Sequence, residues 1–389
     1  MTEPQVMILD SLVTSPVTAF SQFGNGPLTA ITADNHLYVL NGERFSPLSS
    51  PDSMRITAAA FRSPNEGMAI GTTTSKPGTG GGGSFTLAWI ILGLLIVFLG
   101  GLVWSIIHTI RRKQWKILSA IGLSIVAIVV FFLHFVSFGN SSTQFTFDPG
   151  THYVGETGQP SSLVALTTDA GAHWRRFSLG TNFYLTACAP VDSAYLITTY
   201  ASPDHLDGDL WKVPIDSANH PGLFSPGRAL WGIAESDSTV FAYGTDISVW
   251  HTGNPWQSVR GEVFRTNLRL DTVNVLELAS NGGIISLSAE DSANFWAVTR
   301  NHILKKYSNA SVSTVPFVAG SLPMKVAAVS SNDIAVLDSL GHIFLSRDDG
   351  TSWQSLSLPD STQASAMIGM AGTLYAADDR GKVFRIALE

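Results

Sequence analysis

The 389-residue chain has a single cysteine, few charges and two long stretches with no charge at all. Cys188 alone excludes an intrachain disulfide and a zinc site built on cysteine pairs. Charged residues make up 14% of the chain against 45% hydrophobic, and the formal net charge is −7. That acidic balance argues against nucleic acid as a partner. The glycine run at 80–83 is not followed by Lys and Ser/Thr, so it is not a phosphate-cradling loop. The start, Met1-Thr2-Glu3-Pro4, offers no basic stretch and no long apolar one, and a cleavable signal peptide is not expected.

Residues 77–110 and 117–147 contain no Asp, Glu, Lys or Arg. Within them, 85–110 and 117–138 are apolar, each long enough for the ~20 residues that a membrane-spanning helix needs. The six residues between them include Arg111, Arg112, Lys113 and Lys116. The pattern predicts a transmembrane helical hairpin whose two flanks lie on one side of the bilayer. Positive charge concentrated in the short loop places that loop in the cytoplasm and the flanking chain outside. The expectation is thus an integral membrane protein with two spans and lipid bilayer among its partners. With +4 in the loop, the rest of the chain carries −11.

What remains reads as short strands separated by turns. Residues 28–33 and 36–40 flank Asp34-Asn35, a hairpin signal. Similar pairs follow at 56–61 with 68–72, 195–199 with 210–213, 334–337 with 342–346, and 373–376 with 382–386. No amphipathic helical pattern interrupts them. Inner strands are expected to begin near Leu28, Ile56, Phe145, Tyr184, Ala229, Ile284, Lys325 and Ala366. A strand-only unit repeating about every 40 residues is the mark of propeller blades. About 325 residues at roughly 45 per blade give seven blades. The predicted fold is therefore an all-β propeller of about seven blades with an inserted two-helix transmembrane hairpin. Its expected divisions are N-terminal blades over 1–76, a Gly-rich linker over 77–84, the hairpin over 85–138, and the remaining blades over 139–389. Residues 56–74 read as half a blade and 143–177 as a whole one.

Two segments share the form Ser/Thr-x-Asp-x-Gly-x-x-Trp. One carries Thr167, Asp169, Gly171 and Trp174; the other carries Ser346, Asp348, Gly350 and Trp353. The Asp can accept backbone N–H bonds across a tight turn, Gly permits positive φ, and Trp covers neighbouring strands. This resembles the Asp-box, or BNR repeat, of β-propellers. The resemblance implies structural roles for these eight residues, because the carboxylate is engaged in the turn. The stretch from Ala60 to Gly71, and Tyr153-Val154-Gly155 followed by Thr167-Thr168-Asp169, are similar to blades of the photosystem II assembly-factor family. That likeness implies a non-catalytic assembly or scaffold role.

The expected function is a membrane-tethered propeller without catalytic activity, acting as assembly factor, scaffold or accessory subunit of a membrane protein complex. No catalytic, cofactor or metal residues are assigned; the acidic run from Asp204 to Asp209 lacks the spaced ligands and terminal Glu of a calcium loop. The alternative is a glycan-binding or sialidase-like propeller. Phe61-Arg62-Ser63-Pro64 resembles the sialidase motif whose Arg binds a substrate carboxylate, although the partner groups of such a site are not identifiable in the sequence.

Overall fold

The computed structural model describes residues 4–11, 15–73, 162–180, 183–201, 210–215, 222–224, 229–236, 238–246, 260–269, 272–279, 282–370 and 372–388. Among them are seven antiparallel sheets of four strands each. The innermost strands are β2 (Val17–Ser21), β6 (Met54–Phe61), β10 (Phe183–Val191), β14 (Ala229–Ser236), β18 (Ile284–Ala289), β22 (Pro323–Ala328) and β26 (Ala364–Met370). Each neighbours the next, and β2 neighbours β26, so the ring closes into a seven-bladed propeller.

Closure uses both ends of the described chain. The last blade runs outward from β26 through β27 (Thr373–Asp378) and β28 (Lys382–Ala387) to β1 (Gln5–Ser11). Gln5 pairs with Ala387 and Ile8 with Phe384. An N-terminal strand completing a C-terminal blade covers what would otherwise be a free sheet edge.

A second join crosses the chain interior. In the second blade, β6 and β7 (Gly67–Thr73) continue into β8 (Ser162–Thr167) and β9 (Arg175–Gly180). Gly67 pairs with Thr167 and Thr72 with Ser162. The expectation of a separate blade over 143–177 is thereby corrected, since β8 and β9 complete the blade that β6 and β7 begin. Phe145 lies outside the described residues, as do Tyr153–Gly155 and Asp204–Asp209.

The expected transmembrane hairpin is also corrected. Among the described residues no helix is long and apolar enough to cross a membrane, and the helical turn found there is the 3-10 turn Pro359–Ser361. Residues 85–138, with Arg111, Arg112, Lys113 and Lys116, lie outside the described residues. The fold class is all-β, and the two membrane spans, the cytoplasmic loop and the bilayer as partner are withdrawn. Run length and missing charge are necessary for a span but do not by themselves make one. In the described residues, every long apolar segment is a strand.

The core lies between blades. Each of seven buried clusters joins two successive blades; one combines Ile31, Leu37 and Val39 with Met54, Ile56 and Phe61. Because both faces of a blade are covered, central strands are apolar on both sides rather than alternating. Ile334–Asp338 is buried at all five positions.

All seven inner strands carry a register shift near their starts, after Val17, Ile56, Leu185, Leu230, Ile284, Pro323 and Ala364. Such a bulge lets one residue leave the ladder. Thr186 Oγ1 reaches the Leu230 carbonyl at 2.9 Å and Ser365 Oγ reaches that of Val17 at 2.8 Å. Both tie one inner strand to the next. The residue following the bulge is Ala19, Ala58, Ala187, Gly232, Ser286, Lys325 or Ala366, a lysine in the sixth blade and a small residue in the other six.

Candidate functional site

The two Asp-containing turns occupy the same place, between the third and fourth strands of their blades, and have matching geometry. In the second blade Gly171 N–H donates to Thr167 Oγ1 at 2.9 Å, and Thr167 Oγ1 bonds Asp169 Oδ1 at 2.9 Å. His173 N–H donates to Asp169 Oδ1 at 2.9 Å, and His173 Nδ1 lies 2.6 Å from Oδ2. In the sixth blade Gly350 N–H donates to Ser346 Oγ at 2.8 Å. Ser352 N–H donates to Asp348 Oδ1 at 2.8 Å and its hydroxyl to Oδ2 at 2.6 Å. Residues preceding and occupying the glycine position have φ of 56° and 81° in one turn, and 57° and 81° in the other.

These bonds favour the ionised carboxylates. The backbone N–H and imidazole of His173, then the Thr167 hydroxyl, hold Asp169 down at about 2. Asp348 is lowered by the Ser352 hydroxyl first, then by its N–H and by Ser346.

Both tryptophans are half-buried rather than fully covered. Trp174 Nε1–H donates to the Ser49 carbonyl at 2.6 Å and meets Phe61 edge-on at 6.4 Å. Trp353 Nε1–H donates to the Pro316 carbonyl at 3.1 Å and meets Phe317 edge-on at 5.1 Å. Each anchors its blade's outer hairpin to the connection entering that blade.

Beside the first turn is a cavity of about 370 Å³ between the second and third blades. Glu66 enters from the β6–β7 hairpin; Thr167, Asp169, His173 and Arg175 come from the β8–β9 hairpin; Tyr195 comes from β11 (Ala194–Ala201). Most of these groups are committed to the fold. Arg62 Nη2 donates to the carbonyls of Val191 at 3.2 Å and Ala194 at 3.0 Å, and its guanidinium lies 5.7 Å from the Tyr195 ring centroid. Arg175 Nη2 donates to the Ile215 carbonyl at 2.6 Å. Two buried atoms, Glu66 Oε1 and the Tyr195 hydroxyl, have no hydrogen-bond partner. Arg62 Nη1 faces Glu66 Oε1 at 3.5 Å, an ion pair without a close hydrogen bond. Tyr195 is 0% exposed, and burial first, then the Glu66 charge, raises its phenol above the usual value.

The structure brings Thr167 and Asp169 to the cavity and leaves Ser346, Asp348, Gly350 and Trp353 in the sixth blade, away from it. Glu66 and Tyr195 had no part in the sequence-based site. The signal available was the Arg62–Glu66 spacing within a turn. The signal for Tyr195 is absent, because it reaches the cavity through packing of the third blade against the second.

No protein-family profile matches the sequence, and no curated protein matches it either. Solved structures with the same fold do. YCF48 bound to a D1 peptide aligns with a TM-score of 0.56 at 10% identity, over 100% of this chain and 98% of that one. YCF48 from Cyanidioschyzon merolae aligns at 0.54 and 10% identity, over 98% of each chain. Virginiamycin B lyase from Staphylococcus aureus aligns equally well at 0.54 and 10%, over 100% of this chain and 99% of that one. The likeness is one of fold, shared by a peptide-bound protein and a lyase alike.

Proposed function

We propose that this chain is a non-catalytic propeller that serves as an assembly factor, scaffold or accessory subunit by holding a protein partner on its hairpin loops. In this reading the turns at Thr167–Trp174 and Ser346–Trp353 are Asp-boxes with a structural role, and the blades before and after residues 77–138 form one domain. The observation that carries the reading is the commitment of the cavity's charged groups to main-chain and turn contacts. A hydrolytic centre needs a nucleophile in contact with an activating base. Here the Tyr195 hydroxyl has no such contact and its phenol is held neutral by burial. A propeller of the same fold has been solved with a peptide bound, which makes a peptide partner a reasonable class.

The sialidase-like alternative draws on one observation, the proximity of Arg62 to Glu66 and to the Tyr195 ring. Against it, Arg62 Nη2 already serves two carbonyls and is not free to bind a substrate carboxylate.

The test is affinity isolation of the full chain from its native cells, followed by size-exclusion chromatography and a sialoside-hydrolysis assay. Co-elution with a stoichiometric protein partner is expected, with no hydrolysis. A solitary protein that cleaves the sialoside and loses that activity on Arg62→Ala would overturn the reading.

A further inference from the structure

The cavity between the second and third blades has a polarity that the fold leaves incomplete. Its cations have partners: Arg175 donates to a carbonyl and His173 is paired with Asp169, while neighbouring Arg62 donates to two carbonyls. Asp169 in turn accepts from Thr167 and from the His173 backbone and ring. The acceptor side is unfinished, because Glu66 Oε1 is buried and accepts no hydrogen bond, its one charged neighbour being Arg62 Nη1 at 3.5 Å. The Tyr195 hydroxyl is likewise unpartnered in a fully buried residue. The nearby Arg62 backbone N–H donates at 3.0 Å to the Glu66 carbonyl instead. Leaving a buried acceptor unpaired is unfavourable, more so when it is charged, so a ligand able to supply donors there recovers that penalty.

We infer that this cavity receives a basic side chain, arginine or lysine, of a protein partner, with Glu66 Oε1 and the Tyr195 hydroxyl as its acceptors. An anion is disfavoured, since Arg175, the guanidinium lining the cavity, already has its carbonyl and two carboxylates, Glu66 and Asp169, line the same space. A purely apolar group would leave both buried oxygens unpaired. A charged donor meets both needs and adds a charge-assisted bond. The inference rests on the partner-binding reading above and specifies what the partner must present.

The test uses the full chain and three small probes: N-acetyl-arginine methylamide, N-acetyl-lysine methylamide and the neutral arginine isostere N-acetyl-citrulline methylamide. Ligand-observed NMR titration reports their binding. At least one basic probe should bind about tenfold more tightly than citrulline, as expected for a charge-assisted bond in a partly buried site. Glu66→Gln, which keeps the shape, should abolish that preference. Tyr195→Phe should weaken the basic probe by a smaller factor, with thermal melts confirming that both variants fold. Equal binding of citrulline and the basic probes, indifference to Glu66→Gln, or no binding by any probe would overturn the inference. If the isolated chain still carries a partner while the probes fail, only this inference falls. If the probes bind through Glu66 and no partner exists, the scaffold reading falls and the cation site stands.

Discussion

The backbone N–H of Ala170 donates to the carbonyl of Asn65 at 2.9 Å, joining two hairpins of one blade whose strands lie on either side of residues 74–161. The sixth blade repeats the contact with no such interruption: Asp349 N–H donates to the Asn332 carbonyl at 3.1 Å. The Asp-containing turn thus rests on the inner hairpin of its own blade in both cases. In the second blade, that places Glu66 and Asp169 at one cavity.

The split blade makes a direct prediction. With a specific protease site introduced after Gly80, cleavage should leave the two pieces associated under native conditions, because β7 and β8 share a ladder from Gly67–Thr167 to Thr72–Ser162. The pieces should separate only in denaturant. Separation by gel filtration without denaturant would contradict the pairing.

The indole bonds should matter at both turns. Trp174→Phe and Trp353→Phe each leave a carbonyl, Ser49 or Pro316, without its donor. A loss of about 1 kcal/mol each is expected in urea unfolding.

The turn glycines should differ from one another. Both have φ of 81°, but a Cβ on Gly350 would approach Trp296 Cη2 at 2.7 Å, whereas one on Gly171 would find nothing closer than 3.4 Å. Gly171→Ala should cost about 1 kcal/mol from backbone strain, and Gly350→Ala about 2–3 kcal/mol from strain and collision together. Paired denaturant melts would check the order.

Much of the architecture is legible in the sequence because each blade is built from local hairpins. Ile56, Tyr184, Ala229, Ile284, Lys325 and Ala366 all fall within inner strands. Leu28 does not: it lies beside β3 (Thr29–Thr32), the second strand of its blade, and the inner strand is Val17–Ser21. At five residues that strand is the shortest of the seven inner strands, so it offers the least apolar pattern to read. The cavity was not legible for a different reason. Arg62 meets Val191 and Ala194 across more than 120 residues of sequence, and the packing of the third blade against the second brings them together. The two apolar runs show the opposite limit, since hydropathy describes a segment without assigning it a place in a fold.

The half-buried Lys325 should make stability depend on alkaline pH. Desolvation lowers its ammonium below the usual value. The unfolded chain therefore holds this proton at pH values where the folded chain releases it, and stability rises with pH through that window. Lys325→Met should be more stable than the parent at pH 7, with the difference shrinking towards pH 10.5. A destabilised variant at pH 7 would contradict the assignment.

Glu235 should act with the opposite sign. Burial pushes its carboxyl up to about 7, from an ordinary 4.5. The folded form keeps the proton while the unfolded form loses it, so stability falls as pH rises from about 4.5 to about 7. Glu235→Gln should match the parent at pH 4 and exceed it at pH 8 in thermal melts.

The central claim, a partner held on the hairpin loops around the Glu66 cavity, is tested most directly by site-specific photocrosslinking in native cells. A benzophenone amino acid at Thr168, exposed at the cavity, should give an adduct with the partner that co-purifies with the chain. The same group at Leu340, 60% exposed in the loop between the second and third strands of the sixth blade, should give none. An adduct at Leu340 with none at Thr168 would contradict the account.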